Sequence, residues 1–168
     1  MALSAMFPGR DLSAAQGQLA RFAEGFGVTM RFSEHVPNTR RALAMAEFAR
    51  DQGKLDAFRA GAMDAHWQDG RDIEAADVLA EVASAAGMDP VAALGAADSA
   101  PMLARVHAMG EEAQRWGVSG IPTYFILPAG WSPGDPPPTS GARPVRIVGC
   151  QPWETVVAGC MRAHVERR

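Results

Sequence analysis

The sequence predicts a mostly helical α/β chain in which a cluster of helices precedes a C-terminal β-hairpin and one last helix. Three observations carry this. Apolar residues recur at helical spacing from the N-terminal region to Trp116, and most of these stripes run into a glycine. The dipeptide Ile121-Pro122 then separates the last such stop, Gly117, from a β-branched and aromatic run, Thr123 to Leu127. A second extended run, Pro144 to Val148, follows a stretch rich in Pro, Gly and Ser, and a final helical segment begins near Pro152.

Each element has a local reason. Ala15, Leu19, Phe22, Ala23 and Phe26 recur at helical spacing, and Gly27 is a stop, since glycine alone enters the left-handed region without steric cost. Val28 to Phe32 alternates as a short extended piece. Asn38 or Thr39 offers a side-chain oxygen to cap a second helix carrying Ala42, Met45, Ala46 and Ala49, which Gly53 ends. Leu55, Phe58, Ala62, Ala65 and His66 mark a third, followed by the polar turn Gln68 to Asp72. Ala75, Val78, Leu79, Val82 and Ala86 form the buried stripe of a fourth, with Gly87 after it. Asp89-Pro90 reads as an N-cap with proline at the first helical position. Ser99 caps the longest stripe, Met102, Val106, Met109, Ala113 and Trp116.

Thr123 to Leu127 and Pro144 to Val148 read as strands. Joined by the loop from Pro128 to Arg143, stiffened at Pro136-Pro137-Pro138, they most simply pair antiparallel. The last helix covers about Pro152 to Val165, with Val156, Val157, Cys160 and Met161 proposed for its inner face.

Composition bounds function. A chain of 168 residues is one domain, or one domain with an insertion. A net charge of −3, with arginines scattered among carboxylates, does not suit nucleic acid or an anionic membrane. No apolar stretch spans a bilayer, and Met1 to Pro8 lacks a cationic lead and an apolar body, so a cytoplasmic location is the expectation. Cys150 and Cys160 are ten residues apart, the second well along a helix, which sets them beyond disulfide reach as two reduced thiols. Their spacing is neither Cys-x-x-Cys nor a zinc pattern.

Ile121-Pro122 is the most informative feature. An X-Pro bond is the only kind that adopts cis at low cost, and here it stands at a strand entrance. The segment from Ala113 to Ile126 resembles the cis-proline loop and following strand of DsbA-like thioredoxin-fold thiol oxidoreductases. Pro37 to Ala42 opening a helix, Phe48 to Lys54 closing it and Gly70-Arg71-Asp72-Ile73 before the next resemble that family's helical insertion, most closely in its FrnE-like branch. Val148-Gly149-Cys150-Gln151-Pro152 resembles its last strand leading into its last helix. The resemblance implies an incomplete thioredoxin-like fold forming a single domain, residues 1–168, with a helical insertion over about 10–117 and a thioredoxin-like portion over about 118–168.

The resemblance also implies a class, thiol–disulfide oxidoreductase, and a conflict within it. Family members begin with a strand, a Cys-x-x-Cys pair at a helix N-terminus and a second strand. This chain starts about where the insertion does, and Cys150 and Cys160 do not map onto that pair. The nucleophilic thiolate, which a helix N-terminus stabilises, therefore has no counterpart. Only Ile121 and Pro122 carry over, as residues facing a thiol or peptide substrate by strand addition. No catalytic residue, metal or cofactor is assigned. In the family fold the strand equivalent to Thr123–Leu127 is flanked on both sides. With the first strand missing it is an open edge, expected to be covered by a second copy of the chain or by a partner strand.

Two other classes stay open: a non-catalytic peptide-binding or assembly module, and the related isomerase and kappa-type glutathione transferase group. The Gly149-Cys150-Gln151-Pro152 ending fits the FrnE branch better. His35, His66, His107 and His164 have no local metal-like partners, and Met45, Met63, Met102 and Met109 read as core filling. Trp67 and Trp116 read as core anchors, and Asp51, Glu111 and Glu112 as solvated helix faces. The glycine-rich stretches lack a P-loop lysine.

Overall fold

The computed structural model describes residues 1–127 and 144–165, the last two without their side chains. The proline-rich loop read over Pro128 to Arg143 lies outside the described residues. Contacts divide the chain into two units, residues 1–110 and 111–168.

The first unit is helical. After a single turn, α1 (Leu3–Met6), come α2 (Ser13–Glu24), α3 (Arg40–Asp51), α4 (Leu55–Met63), a π-helical turn (Asp64–Gln68), α5 (Ala76–Ala85) and α6 (Pro90–Ala97). The next helix, α7 (Ala100–Arg115), runs on into the second unit. Its core lies among α3 to α6, where Met45, Phe58, Leu79, Ala83, Ala93 and Ala97 are fully or almost fully buried. Alanine on α3, α5 and α6 lets the helices approach closely, while Met45, Phe58 and Leu79 fill the space between them.

Local chemistry sets the helix ends. The choice between Asn38 and Thr39 resolves to Asn38, whose Oδ1 accepts from Arg40 N at 3.1 Å, while Thr39 makes no side-chain cap. Asp89 Oδ1 accepts from Val91 N and Ala92 N at 2.8 and 2.9 Å, with Pro90 at the first helical position. Ser99 Oγ accepts from Met102 N at 3.5 Å, a long cap for α7. Gly53 and Gly87 take positive φ, 66° and 76°, where a Cβ would be strained.

Several sequence expectations give way to tertiary packing. Residues 28–32 form no strand; Arg31 N instead donates to Trp67 O at 2.6 Å, tying this segment to the π-helical turn. The apolar side of α2 faces water, with Leu19 and Phe22 exposed, and Phe26 just beyond the helix is exposed too, its ring tilted against that of Phe22 at 5.1 Å. The long stripe of α7 holds no fully buried residue. Met45 fills core as expected, but Met63 and Met109 are exposed. Trp67 and Trp116 are half-buried in ring-to-ring contacts, with Phe32 at 6.2 Å and Phe125 at 4.6 Å respectively. Asp51, expected to be only solvated, accepts from Arg105 Nη1 through both carboxylate oxygens at 2.8 Å. This pair holds the Arg105 guanidinium above its ordinary pKa, chiefly through the hydrogen bond, so it stays charged.

The second unit contains the end of α7, β1 (Thr123–Ile126), β2 (Val145–Val148) and α8 (Trp153–Val165). The strands pair antiparallel, with Thr123 opposite Val148 and Ile126 opposite Val145. One face of the ribbon carries Ile126, Val145 and Ile147 against α8; the other turns Phe125 toward Trp116. The inner face of α8 differs from its expected one. Val156 and Val157 are half-buried, Cys160 and Met161 are exposed, and Gly159 and Ala163 take the inward positions. The helix sits too close to the ribbon for larger residues there. A Cβ on Gly159 would stand 2.8 Å from Ile126 Cδ1 and 3.0 Å from Ile147 Cδ1. No helix among the described residues is long and apolar enough to cross a membrane.

Candidate functional site

The loop between α7 and β1 is built by glycine geometry and four hydrogen bonds. Gly117, at φ 66°, ends α7; its N–H reaches Gln114 O at 2.9 Å and Val118 N reaches Ala113 O at 3.0 Å. Its carbonyl accepts from Arg146 Nη1 at 2.9 Å, which ties the loop to β2. Thr123 Oγ1 donates to Gly120 O at 2.6 Å, bracing the turn that contains Ile121 and Pro122.

The Ile121-Pro122 peptide bond is cis. Pro122 is half-buried, whereas Ile121 is 90% exposed. Gly149 N donates to Pro122 O at 2.7 Å, extending the ribbon by one pair. That bond brings Gly149 and the exposed Cys150 to the same end of the hairpin as Ile121 and Pro122. Cys160 is also exposed, and the two cysteines are not joined in a disulfide.

Among the described residues, β1 pairs only with β2. Antiparallel residues alternate between pairs that exchange hydrogen bonds and pairs that do not. With Pro122 and Gly149 in a bonded pair, Tyr124–Ile147 and Ile126–Val145 are bonded pairs too. The N–H and C=O groups of Thr123 and Phe125 therefore point away from β2, along the edge that begins at the cis-proline loop.

Spacing offers no histidine a local metal-like partner, and the fold brings two distant acids to His35. Its Nε2 lies 3.2 Å from Glu74 Oε2 and 3.7 Å from Asp72 Oδ2, and one donor atom from each of the three residues falls within 4.8 Å of the others. Glu74 Oε2 also accepts from Asn38 N at 2.9 Å. An ionised carboxylate only accepts, so Nε2 carries the hydrogen in that bond, and Nδ1 faces the Met1 amino group at 3.3 Å. The arrangement is a hydrogen-bonded clasp between residues 35–38 and 72–74. Nothing in local spacing signals it, because 37 to 39 residues separate the histidine from its acids.

The Asn38 N–H, and after it the His35 ring, hold the Glu74 carboxyl below the ordinary glutamate range. A depressed carboxyl pKa stabilises the fold above the unfolded value, about 4.3, and that contribution is lost as pH falls through the folded value. Glu74→Gln is therefore expected to flatten the acid limb of a thermal-melting profile. A variant whose melting temperature falls as steeply as the parent's below about pH 4.3 would contradict this.

A hairpin covered by a helix, in a chain that also carries a helical unit, fits a protein of thioredoxin type. The chain belongs to the DSBA-like thioredoxin domain family, whose model matches residues 8–157. Among solved structures, a probable DsbA oxidoreductase from Streptomyces coelicolor has the same fold, with a TM-score of 0.76 and 22% identity. The match covers 99% of this chain and 67% of that one. No curated protein matches the chain.

Proposed function

We propose that this polypeptide is a FrnE-like member of the thiol–disulfide oxidoreductase family that has no redox activity of its own and serves as a peptide-binding module in the cytoplasm. The observation that carries this reading is the unpaired outer edge of β1 among the described residues, with the exposed Ile121 at its mouth. An extended thiol-bearing or plain peptide laid along β1 gains hydrogen bonds to Thr123 and Phe125. Thiol–disulfide exchange needs an attacking thiolate with a resolving partner nearby. The sequence has no Cys-x-x-Cys, and its two thiols stand on a hairpin end and on a helix. The order and spacing of the helical motifs support the FrnE branch.

Insulin reduction by dithiothreitol tests the catalytic half. The parent and the Cys150→Ser/Cys160→Ser variant are expected to run alike at the uncatalysed rate. A parent rate well above background that the double variant loses would overturn the reading.

The same edge supports association. A second copy pairing β1 with β1 across a twofold axis turns two short ribbons into one four-stranded sheet and covers the open β1 edge of each. The expected result is a dimer at high micromolar concentration by sedimentation, and a monomer for Tyr124→Lys, which puts a charge beside the edge. A monomeric parent at that concentration sinks the self-pairing proposal.

A further inference from the structure

The helical unit contains an open pocket of about 930 Å³, walled by α3, α4 and α7 and by the chain near Phe32 and Val36. That volume is at the upper end of the range for small-molecule sites. The pocket explains the side chains that failed to join the core. Leu43, Met63 and Met109 are about half exposed because they face this space, with Phe58, Ala62 and Val106. Covering such walls is favourable at about 25 cal/mol per Å² of apolar surface removed from water.

The pocket has a head and a tail. A short turn joins α3 and α4, which pack as an antiparallel hairpin. Glu47, Arg50 and Arg59 line the pocket near that turn; His66 and Trp67 line it at the far end of α4, where Trp67 meets Phe32. Glu47 is buried, 7% exposed, and both its oxygens accept from Arg50 Nε at 3.2 and 3.3 Å. This spends one carboxylate against one guanidinium and engages only the Nε of Arg50. Arg59 has a 3.5 Å contact with the exposed Asp56. Among the charged side chains that line the pocket, two guanidiniums stand against one carboxylate, Asp56 lying outside the lining, so the turn end is rich in guanidinium, while the walls beyond it are mainly apolar. An amphipathic helix would present polar groups along its whole length, so a charge confined to one end fits a small amphiphile better.

We propose that this pocket binds an anionic amphiphile of the long-chain carboxylate class, its head at Arg50 and Arg59 and its chain running past Phe58 and Met63 toward Trp67. The test uses the full chain and displacement of bound anilinonaphthalenesulfonate by dodecanoate and by dodecanol. Dodecanoate is expected to displace the dye below about 1 mM, with dodecanol about tenfold weaker, the scale of one charge-assisted hydrogen bond. Arg59→Ala is expected to weaken dodecanoate about tenfold and to leave dodecanol unchanged. Arg59 is chosen because removing Arg50 would strand Glu47. Met63→Asp, at a rim position where the fold tolerates a charge, is expected to abolish both. Equal affinity for acid and alcohol, indifference to Met63→Asp, or no displacement by dodecanoate would each overturn the proposal. Displacement by an amphipathic helical peptide but not by dodecanoate would overturn it too.

Discussion

Leu79→Ala lowers the unfolding free energy of the helical unit by about 3 kcal/mol. Leu79 has no exposed surface and sits on α5, which packs against both α4 and α6. Truncation removes the transfer energy of its lost carbons and leaves a cavity that the neighbours cannot close. Ala83, Ala93 and Ala97 are already at close approach, and alanine has no longer side chain to swing into the gap. Urea unfolding followed by far-UV circular dichroism measures the loss as a lower midpoint. The control is Leu43→Ala, on the exposed wall of α3, which is expected to cost under about 1 kcal/mol. Equal costs at the two positions would contradict the placement of the core among α3 to α6.

Gly159→Leu unseats α8 from the hairpin, at a cost of about 3 kcal/mol. The glycine lies on the inner face of the helix, where an added Cβ meets Ile126 Cδ1, Ile147 Cδ1 and Val145 Cγ1 at 2.8, 3.0 and 3.5 Å. A Cβ alone is tolerable because the two closest atoms are the ends of isoleucine side chains. Gly159→Ala is therefore expected to be close to neutral, its packing strain offset by about 1 kcal/mol of helix propensity. Leucine adds a branched group with no place to go. Amide hydrogen exchange at Tyr124 and Ile147 reads the effect, as lost protection in Gly159→Leu and near-parent protection in Gly159→Ala. Parent-like protection in the leucine variant would mean that α8 does not rest on this face.

These two positions also separate what was legible from what was not. Val78, Leu79 and Val82 declare a buried helical stripe by their spacing, and they are buried. Asp89-Pro90 declares a cap, and Asp89 makes both of its bonds. Thr123 to Ile126 and Val145 to Val148 pair antiparallel as their composition suggests. Gly159 declares nothing. In isolation it is only a weak helix former, and spacing nominated Cys160 and Met161 for the face that Gly159 and Ala163 occupy. Close approach of a helix to a sheet selects for absence of side chain, which a hydrophobic pattern does not register.

The candidate site divides in the same way. Ile121 and Pro122 stood out because a proline between a glycine stop and a β-rich run is a local signal. That Cys150 shares their end of the hairpin depends on a bond between residues 122 and 149, and the His35 clasp on residues as far as 39 positions away. The methionines that line the pocket carry no local sign of it. Met63 and Met109 have the spacing of buried residues, yet helices α3, α4 and α7 leave a space between them.

By itself the sequence determined most of the helix and strand ends, though not the fate of residues 28–32, because capping oxygens, positive-φ glycines and prolines act within a few residues of the backbone they shape. It also determined that its two cysteines, ten residues apart, form no Cys-x-x-Cys. Only the tertiary structure decided which apolar faces are buried and which line open space. Burial is a property of pairs of surfaces, and a side chain's partner across a packed interface is set by the path of the whole chain.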